Sequence, residues 1–274
     1  MRGIAPTDCV PWDIMNIESR WVMMRWWCCG VLMSFVVGCE TPMRAGDVNE
    51  AGMKTYRVKR LSAPIKVDAD WAKAVWRDAE AIVLANHMGP RPEHFPKTQA
   101  KLAYDDESLY VIFRVEDRYV RAVAEKHQDS VCVDSCVEFF FTPRTDPENA
   151  GYFNLEMNCG GTMLFNYQLI PWKNRKPVSE ADLARIETAT TLPKRVEPEV
   201  TAPTTWVVEY RLPFDLLSNY IDEWTQPAPG VEWRANVYKC ADATSHPHWL
   251  TWSPVDHPRP NFHLPQYFGR LLFE

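Results

Sequence analysis

The chain has 274 residues, 46% hydrophobic and 24% charged, with a formal net charge of −6. This is the composition of a folded globular protein, and an acidic balance without a basic block excludes a surface that tracks nucleic-acid phosphates. The 12 Trp, 10 Tyr and 12 Phe offer more flat aromatic surface than a core ordinarily uses, while 22 Pro against 11 Gly predicts short helices and long loops.

The first predicted element is an address. Residues 1–22 carry Asp8, Asp13 and Glu18 and do not suit a signal n-region, so Met23 or Met24 is the expected start. Arg25 then precedes an apolar run from Trp26 to Val37, too short to span a bilayer comfortably and suited to a signal h-region. Val36-Val37-Gly38-Cys39 has the form of a bacterial lipobox, which predicts lipidation at Cys39, with residues 40–55 as a polar linker. The expected location is the bacterial cell envelope, at the outer membrane in a Gram-negative host, with the lipid as the only membrane contact. Cys132, Cys136, Cys159 and Cys240 remain beyond the linker. An exported compartment permits disulfides among them, in any of three pairings. No CxxC is present, which argues against a zinc ribbon.

From Tyr56 to Glu274 period-two segments dominate, and the whole stretch reads as one domain. Strands are predicted at 56–61, 98–105 and 108–117, the last two forming a hairpin around Asp105-Asp106-Glu107. Asp70 is placed to cap a short helix carrying Trp71, Ala74 and Val75, with Trp71 and Trp76 as core plugs. Further strands follow at 136–141, 152–158, 162–168, 184–191, 205–214, 231–241 and 268–273, with helical turns near 179–183 and 213–218. Many short strands with frequent turns predict an all-β, jelly-roll-like antiparallel β-sandwich with a few short helices, rather than βαβ units.

The candidate site lies on the hairpin of 136–141 with 153–158. Side chains alternate between faces, and the hydrophobic match fixes the register. Val137, Phe139 and Phe141 then share the core face with Phe153, Leu155 and Met157. Glu138 is brought among Asn154, Glu156 and Asn158 on the other face, flanked by Phe140. Carboxylates accept from hydroxyls and amides do both, so such a patch suits a polyol. Three other readings exist: a solvated sheet face, a glycosidase pair of Glu138 and Glu156, and calcium ligation. His246, His248, His257 and His263 sit among prolines without a helical i, i+4 frame, so loop packing is favoured over zinc ligation. Trp249 and Trp252, three apart, are expected on opposite faces of a strand, one of them in the core. The basic tip 173–176 reads as a solvated loop.

Six segments in order carry a resemblance: "VDADWAKAVW", "LAYDDESLYVIFRVED", "DSCVEFFF", "YFNLEMNCGGT", "VEWRANVYK" and "HWLTWSPVDHPRPNFHLPQYFG". Together they resemble carbohydrate-binding module family 9, including its stand-alone members, over most of 56–274. The resemblance implies a β-sandwich that binds carbohydrate without catalysis and without a required cofactor. It also implies two aromatic rings clamping a terminal, reducing-end sugar while polar residues hold its hydroxyls. Glu138 matches the family's hydrogen-bonding glutamate. Asn154 and Glu156 stand where the sugar binders have an arginine and an asparagine, Phe262 stands at one clamp ring, and Val131 stands near the other. Trp172, Trp249 or Trp252 would have to supply the missing ring. Some members bind structural calcium, for which Asp105, Asp106 and Asp117 are the candidates. The expected function is glycan or sugar-terminus binding at the envelope in support of carbohydrate catabolism, with Glu138, Asn154, Glu156, Phe262 and Trp172 as binding residues. A glycoside hydrolase, or a structural envelope protein docking a protein partner, is the alternative.

Overall fold

Alternating side chains along short segments produce sixteen strands among the described residues 53–274 of the computed structural model. The expected signal segment, the Cys39 lipidation site and most of the linker lie outside the described residues. In chain order the strands are β1 (Thr55–Arg60), β2 (Ile82–Val83), β3 (Asn86–His87), β4 (Lys97–Tyr104), β5 (Ser108–Asp117), β6 (Val120–Ala122), β7 (Cys136–Thr142) and β8 (Tyr152–Asn158). There follow β9 (Met163–Gln168), β10 (Arg175–Pro177), β11 (Glu187–Thr190), β12 (Val196–Val200), β13 (Thr204–Pro213), β14 (Glu232–Cys240), β15 (Trp249–Thr251) and β16 (Gly269–Phe273). Three single-turn helices interrupt them: α1 (Ala74–Arg77), α2 (Pro147–Ala150) and α3 (Glu180–Leu183).

The strands form two layers joined by β1. One layer runs β10-β9-β8-β7-β14-β16-β1, and the other runs β1-β4-β5-β13-β11. The first four residues of β1 pair with β16 and its last two with β4, so one strand passes from layer to layer. Both of those pairings are parallel and the other pairings are antiparallel. The expected antiparallel sandwich therefore stands, with this one strand as its parallel element. Six strands lie outside the expected set: β2, β3, β6, β10, β12 and β15. They are short, two to five residues, and carry too little alternation to register as a pattern.

The core lies between the layers. Phe139 and Phe141 of β7 and Phe153 and Leu155 of β8 meet a face that includes Val111 and Phe113 of β5 and Val208 and Tyr210 of β13. The opposite face of the second layer is plugged by Trp76 of α1 against Tyr110, Ile112 and Val207, and the Trp76 indole donates to the buried carboxylate of Glu209 at 2.8 Å. Asp70 does not cap α1: its carboxylate accepts from the Ala72 amide at 2.9 Å one turn earlier, and the helix begins at Ala74. The turn from β8 to β9 requires its two glycines. Gly161 has φ +86°, and a Cβ on Gly160 would stand 2.3 Å from the Lys194 carbonyl oxygen.

A buried charge pair ties the layers together at one end. The Lys239 ammonium of β14 lies 3.6 Å from the Asp117 carboxylate of β5, and it donates to the Cys240 carbonyl at 3.0 Å and to Nε2 of His248 at 2.7 Å. Since Nδ1 of His248 donates to the His246 carbonyl at 2.9 Å, the ring is the neutral Nδ1–H tautomer. Burial, reinforced by the Lys239 charge, holds its pKa down to about 3. The unfolded chain takes up a proton near pH 6.5, and the native ring takes none until far lower. This stability is therefore complete above pH 6.5 and lost as pH falls toward 3. His248→Gln, which keeps an acceptor for Lys239, is expected to lose about 3 kcal/mol less than the parent between pH 6.5 and 4. Urea melts at three pH values check this, and parallel profiles for the two proteins would refute it.

Candidate functional site

The β7–β8 ladder sets Cys136 opposite Asn158, Glu138 opposite Glu156 and Phe140 opposite Asn154, the register predicted by the hydrophobic match. On its other edge β7 meets β14, with Cys136 opposite Cys240, Glu138 opposite Tyr238 and Phe140 opposite Asn236. Directly opposed residues share a face. One floor thus carries Glu156, Glu138 and Tyr238 in a row across three strands, and Asn158, Cys136 and Cys240 in the next.

That floor is roofed rather than open to solvent. Glu138 is 3% and Glu156 5% exposed, and Asn154 and Asn158 are buried too. The roof comes from loops whose reach a strand pattern does not show. Phe262 stacks on Tyr238 with centroids 4.2 Å apart and planes at 11°. His263 lies against Phe140 at 5.0 Å and Tyr152 at 5.9 Å. The Trp172 indole, from the β9–β10 loop, reaches within 4.0 Å of the His263 ring. Trp249 closes another side, its Nε1 donating to Asp242 at 2.8 Å. Floor and roof enclose a cavity of about 60 Å³ lined by Glu138, Glu156, Asp242, Trp172, Trp249 and Phe262, among others.

Four of the five predicted site residues, Glu138, Glu156, Phe262 and Trp172, therefore share one cavity. Asn154 does not line it. Its amide nitrogen donates to Glu156 Oε1 at 2.9 Å, and its oxygen accepts from Gln168 at 2.9 Å, so it orients Glu156 from behind. Gln168 continues the chain, accepting from the Trp172 amide at 3.1 Å and donating to Nδ1 of His263 at 3.1 Å. Val131 is fully buried beside Cys136 and Phe140 and offers no ring, and Trp252 belongs to the inter-layer core. Trp249 lines the cavity, so the two Trp side chains do diverge.

The histidines and aspartates weighed as metal ligands are dispersed. His246 stacks on Tyr119 at 3.6 Å, His248 holds Lys239, and His257 bonds the Arg259 carbonyl. Asp105 caps the β4–β5 turn, accepting from Glu107, Ser108 and the Tyr110 hydroxyl. Asp106 pairs with Arg60, and Asp117 lies at the far end of β5.

Enclosure governs the cavity's electrostatics. Burial first, and then the neighbouring Glu156 carboxyl, push Glu138 well above the ordinary carboxylate range. Burial raises Glu156 to about 7 against a hydrogen bond from Asn154, and raises Asp242 to about 6. His263 is pushed down to about 3 by burial. Its Nδ1 accepts from the Tyr152 hydroxyl at 2.7 Å, which leaves Nε2–H as the ring's donor. Three carboxyl groups and an imidazole N–H beneath flat aromatic walls can exchange hydrogen bonds with several hydroxyls while burying an apolar ring face.

Asp242, Tyr238, Cys240 and His263 complete the site beyond the sequence reading. The alternation of "VYKCAD" does put Tyr238 and Cys240 on one face, but only the pairing with β7, about a hundred residues away, makes that face the floor around Glu138.

The sequence profile of carbohydrate-binding family 9 matches residues 66–273, and the chain belongs to that family. Among solved structures it is similar to a candidate carbohydrate-binding protein from Bacteroides uniformis ATCC 8492. The two are 26% identical with a TM-score of 0.72, covering 81% of this chain and 100% of that one. The fold is also similar to a family 9 module from Caldicellulosiruptor kristjanssonii solved with cellotriose, at 15% identity and a TM-score of 0.55, over 81% of this chain and 94% of the module. The glucose complex from the same organism gives 16% identity and 0.54, over 81% and 96%. No curated protein matches the sequence.

Proposed function

We propose that this protein binds a sugar end without catalysis, at the cell envelope and in support of carbohydrate catabolism, held there by a lipid on Cys39. One observation carries the reading: a floor of Glu138, Glu156 and Asp242 faces a roof of Trp172, Trp249 and Phe262 on a family 9 fold. The solved modules with cellotriose and glucose support a glucan end as the ligand class. At about 60 Å³ the cavity is smaller than a sugar ring requires, since small-molecule sites run to about 300 Å³ or more. Seating a sugar ring therefore requires the site to widen, and Trp172 is the exposed ring on its rim. It is 48% exposed and sits at φ +65°, a conformation that costs a bulky residue about 1–3 kcal/mol.

Trp172→Ala is expected to weaken sugar binding by roughly 10- to 150-fold, the loss of about 1.5–3 kcal/mol of aromatic burial. Its melting temperature should not fall, because the substitution removes no core contact. Unchanged affinity would remove Trp172 from the site.

The deciding experiment is calorimetric titration of the full chain with an oligosaccharide panel that includes glucose and cellotriose, each native and borohydride-reduced. Binding lost on reduction is expected for reducing-end capture. No binding to any member would overturn the reading in favour of a protein-docking role. Hydrolysis is disfavoured by placement. Glycosidase carboxyls flank the scissile bond, whereas Glu138 and Glu156 are directly opposed cross-strand neighbours on one floor, with Cβ atoms about 5 Å apart. They address a ligand from the same side.

A further inference from the structure

We propose that Cys136, Glu138 and Cys240 form a binding site for a soft divalent cation, with zinc as the type, whose fourth coordination position faces the cavity. Cys136 and Cys240 are directly opposed on β7 and β14, and Glu138 is the next residue of β7 on the same face. The two sulfurs and a Glu138 oxygen all lie within 4.8 Å of one another. Tetrahedral zinc, with Zn–S near 2.3 Å and Zn–O near 2.0–2.2 Å, needs ligand atoms about 3.4–3.8 Å apart. Small side-chain rotations close that difference, and the Cys240 sulfur already stands 3.0 Å from Glu138 Oε1. Both cysteines are unbonded thiols.

The donor set selects the ion. Two thiolates exclude calcium and magnesium and favour zinc or another soft metal. Three protein ligands leave one position open, and Glu138 and Cys240 both line the cavity, which supplies an entry path. Charge balance points the same way. A divalent ion displaces up to three protons, one from each thiol and one from the Glu138 carboxyl, and leaves a net charge of minus one. The Lys239 ammonium, which donates to the Cys240 carbonyl at 3.0 Å, lies beneath to offset it. With Oε1 on the metal, Oε2 of Glu138 stays available to the cavity, so this site stands independently of the sugar reading.

The chief competitor is a disulfide between the same sulfurs, because directly opposed residues in an antiparallel ladder have Cα separations of about 4.5–5.5 Å, within disulfide range. The test uses the full chain purified under a phosphine reductant, loaded with zinc, freed of excess metal and assayed by elemental analysis. Cobalt-loaded protein is followed in the near-ultraviolet for a thiolate charge-transfer band. One zinc per chain and a cobalt band are expected, both lost in Cys136→Ser and Cys240→Ser and both kept in Cys159→Ser. Zinc-edge X-ray absorption on the unsubstituted protein counts sulfur ligands should the serine variants fail to fold, with two expected. Three results would each overturn the site: no retained metal, retention that ignores the Cys136 and Cys240 substitutions, or a zinc shell without sulfur. So would protein purified without reductant that carries a Cys136–Cys240 cross-link which reduction and zinc do not convert to metal-bound form.

Discussion

Glu138→Ala is expected to abolish measurable sugar binding while leaving the fold in place. Among the described residues the side chain's one direct hydrogen-bond partner is the Cys240 thiol, a weak donor, so truncation strands no strong polar group there. Removal also takes away one of three neighbouring carboxyls that burial holds above their usual range. That relief offsets part of the cost of the space left behind. Binding responds differently. A buried polar group left without its partner costs about 1–3 kcal/mol, so stranding one or two ligand hydroxyls lowers affinity by roughly 5- to 10⁴-fold. Glu138→Gln keeps the volume and one acceptor oxygen but turns the other into an obligate donor, and should fall between the parent and alanine. Titration calorimetry paired with thermal unfolding reads both quantities. An alanine variant that binds glucose or cellotriose as the parent does would remove Glu138 from the site, and one that binds nothing because it is unfolded would show in the melt.

The part of this site readable in the sequence was the part set by local alternation. Phe153, Leu155 and Met157 share a face with Val137, Phe139 and Phe141 only in registers that keep Glu156 out of the apolar core, and one of these occurs. The strand Ser108–Asp117 is likewise recovered to the residue, because the Asp105 turn before it and its alternation agree. What alternation cannot show is what covers a face. Glu138 reads as a wet carboxylate until residues 260–263 and the Trp172 loop lie over it, and the sequence separation of about a hundred residues hides that encounter. Lys239 illustrates the same limit. In "VYKC" it is a lysine on the same face of β14 as Val237, and it is fully buried between the layers. Its partner Asp117 reads as the polar end of a strand.

The Lys239–Asp117 pair carries the largest stability effect expected for a single substitution. Both side chains are fully enclosed. Although burial alone would raise it, the charge of Lys239 and the hydrogen bond from His94 hold the Asp117 carboxyl well below the usual range. Asp117→Ala leaves the ammonium without its counter-charge and strips acceptors from His94, at 2.7 Å, and from the Trp206 indole, at 3.2 Å. Removing one member of a buried pair costs about 3–5 kcal/mol, a large share of the roughly 5–15 kcal/mol that holds a domain together. Replacing both members should behave in the opposite way. Asp117→Leu with Lys239→Met exchanges two desolvated charges for apolar volume and is expected to be neutral or stabilising by about 1–4 kcal/mol relative to the parent. The parent, Asp117→Leu, Lys239→Met and their double variant form a double-mutant cycle, read by urea unfolding at pH 7. A cost for Asp117→Ala as small as about 0.5 kcal/mol, the scale of a surface change, would mean that water reaches the pair. If the double variant is stable but binds sugar more weakly, the pair serves position rather than stability. Lys239 precedes Cys240 and lies three residues before Asp242, so whatever fixes β14 against β5 also sets the height of the floor beneath the cavity.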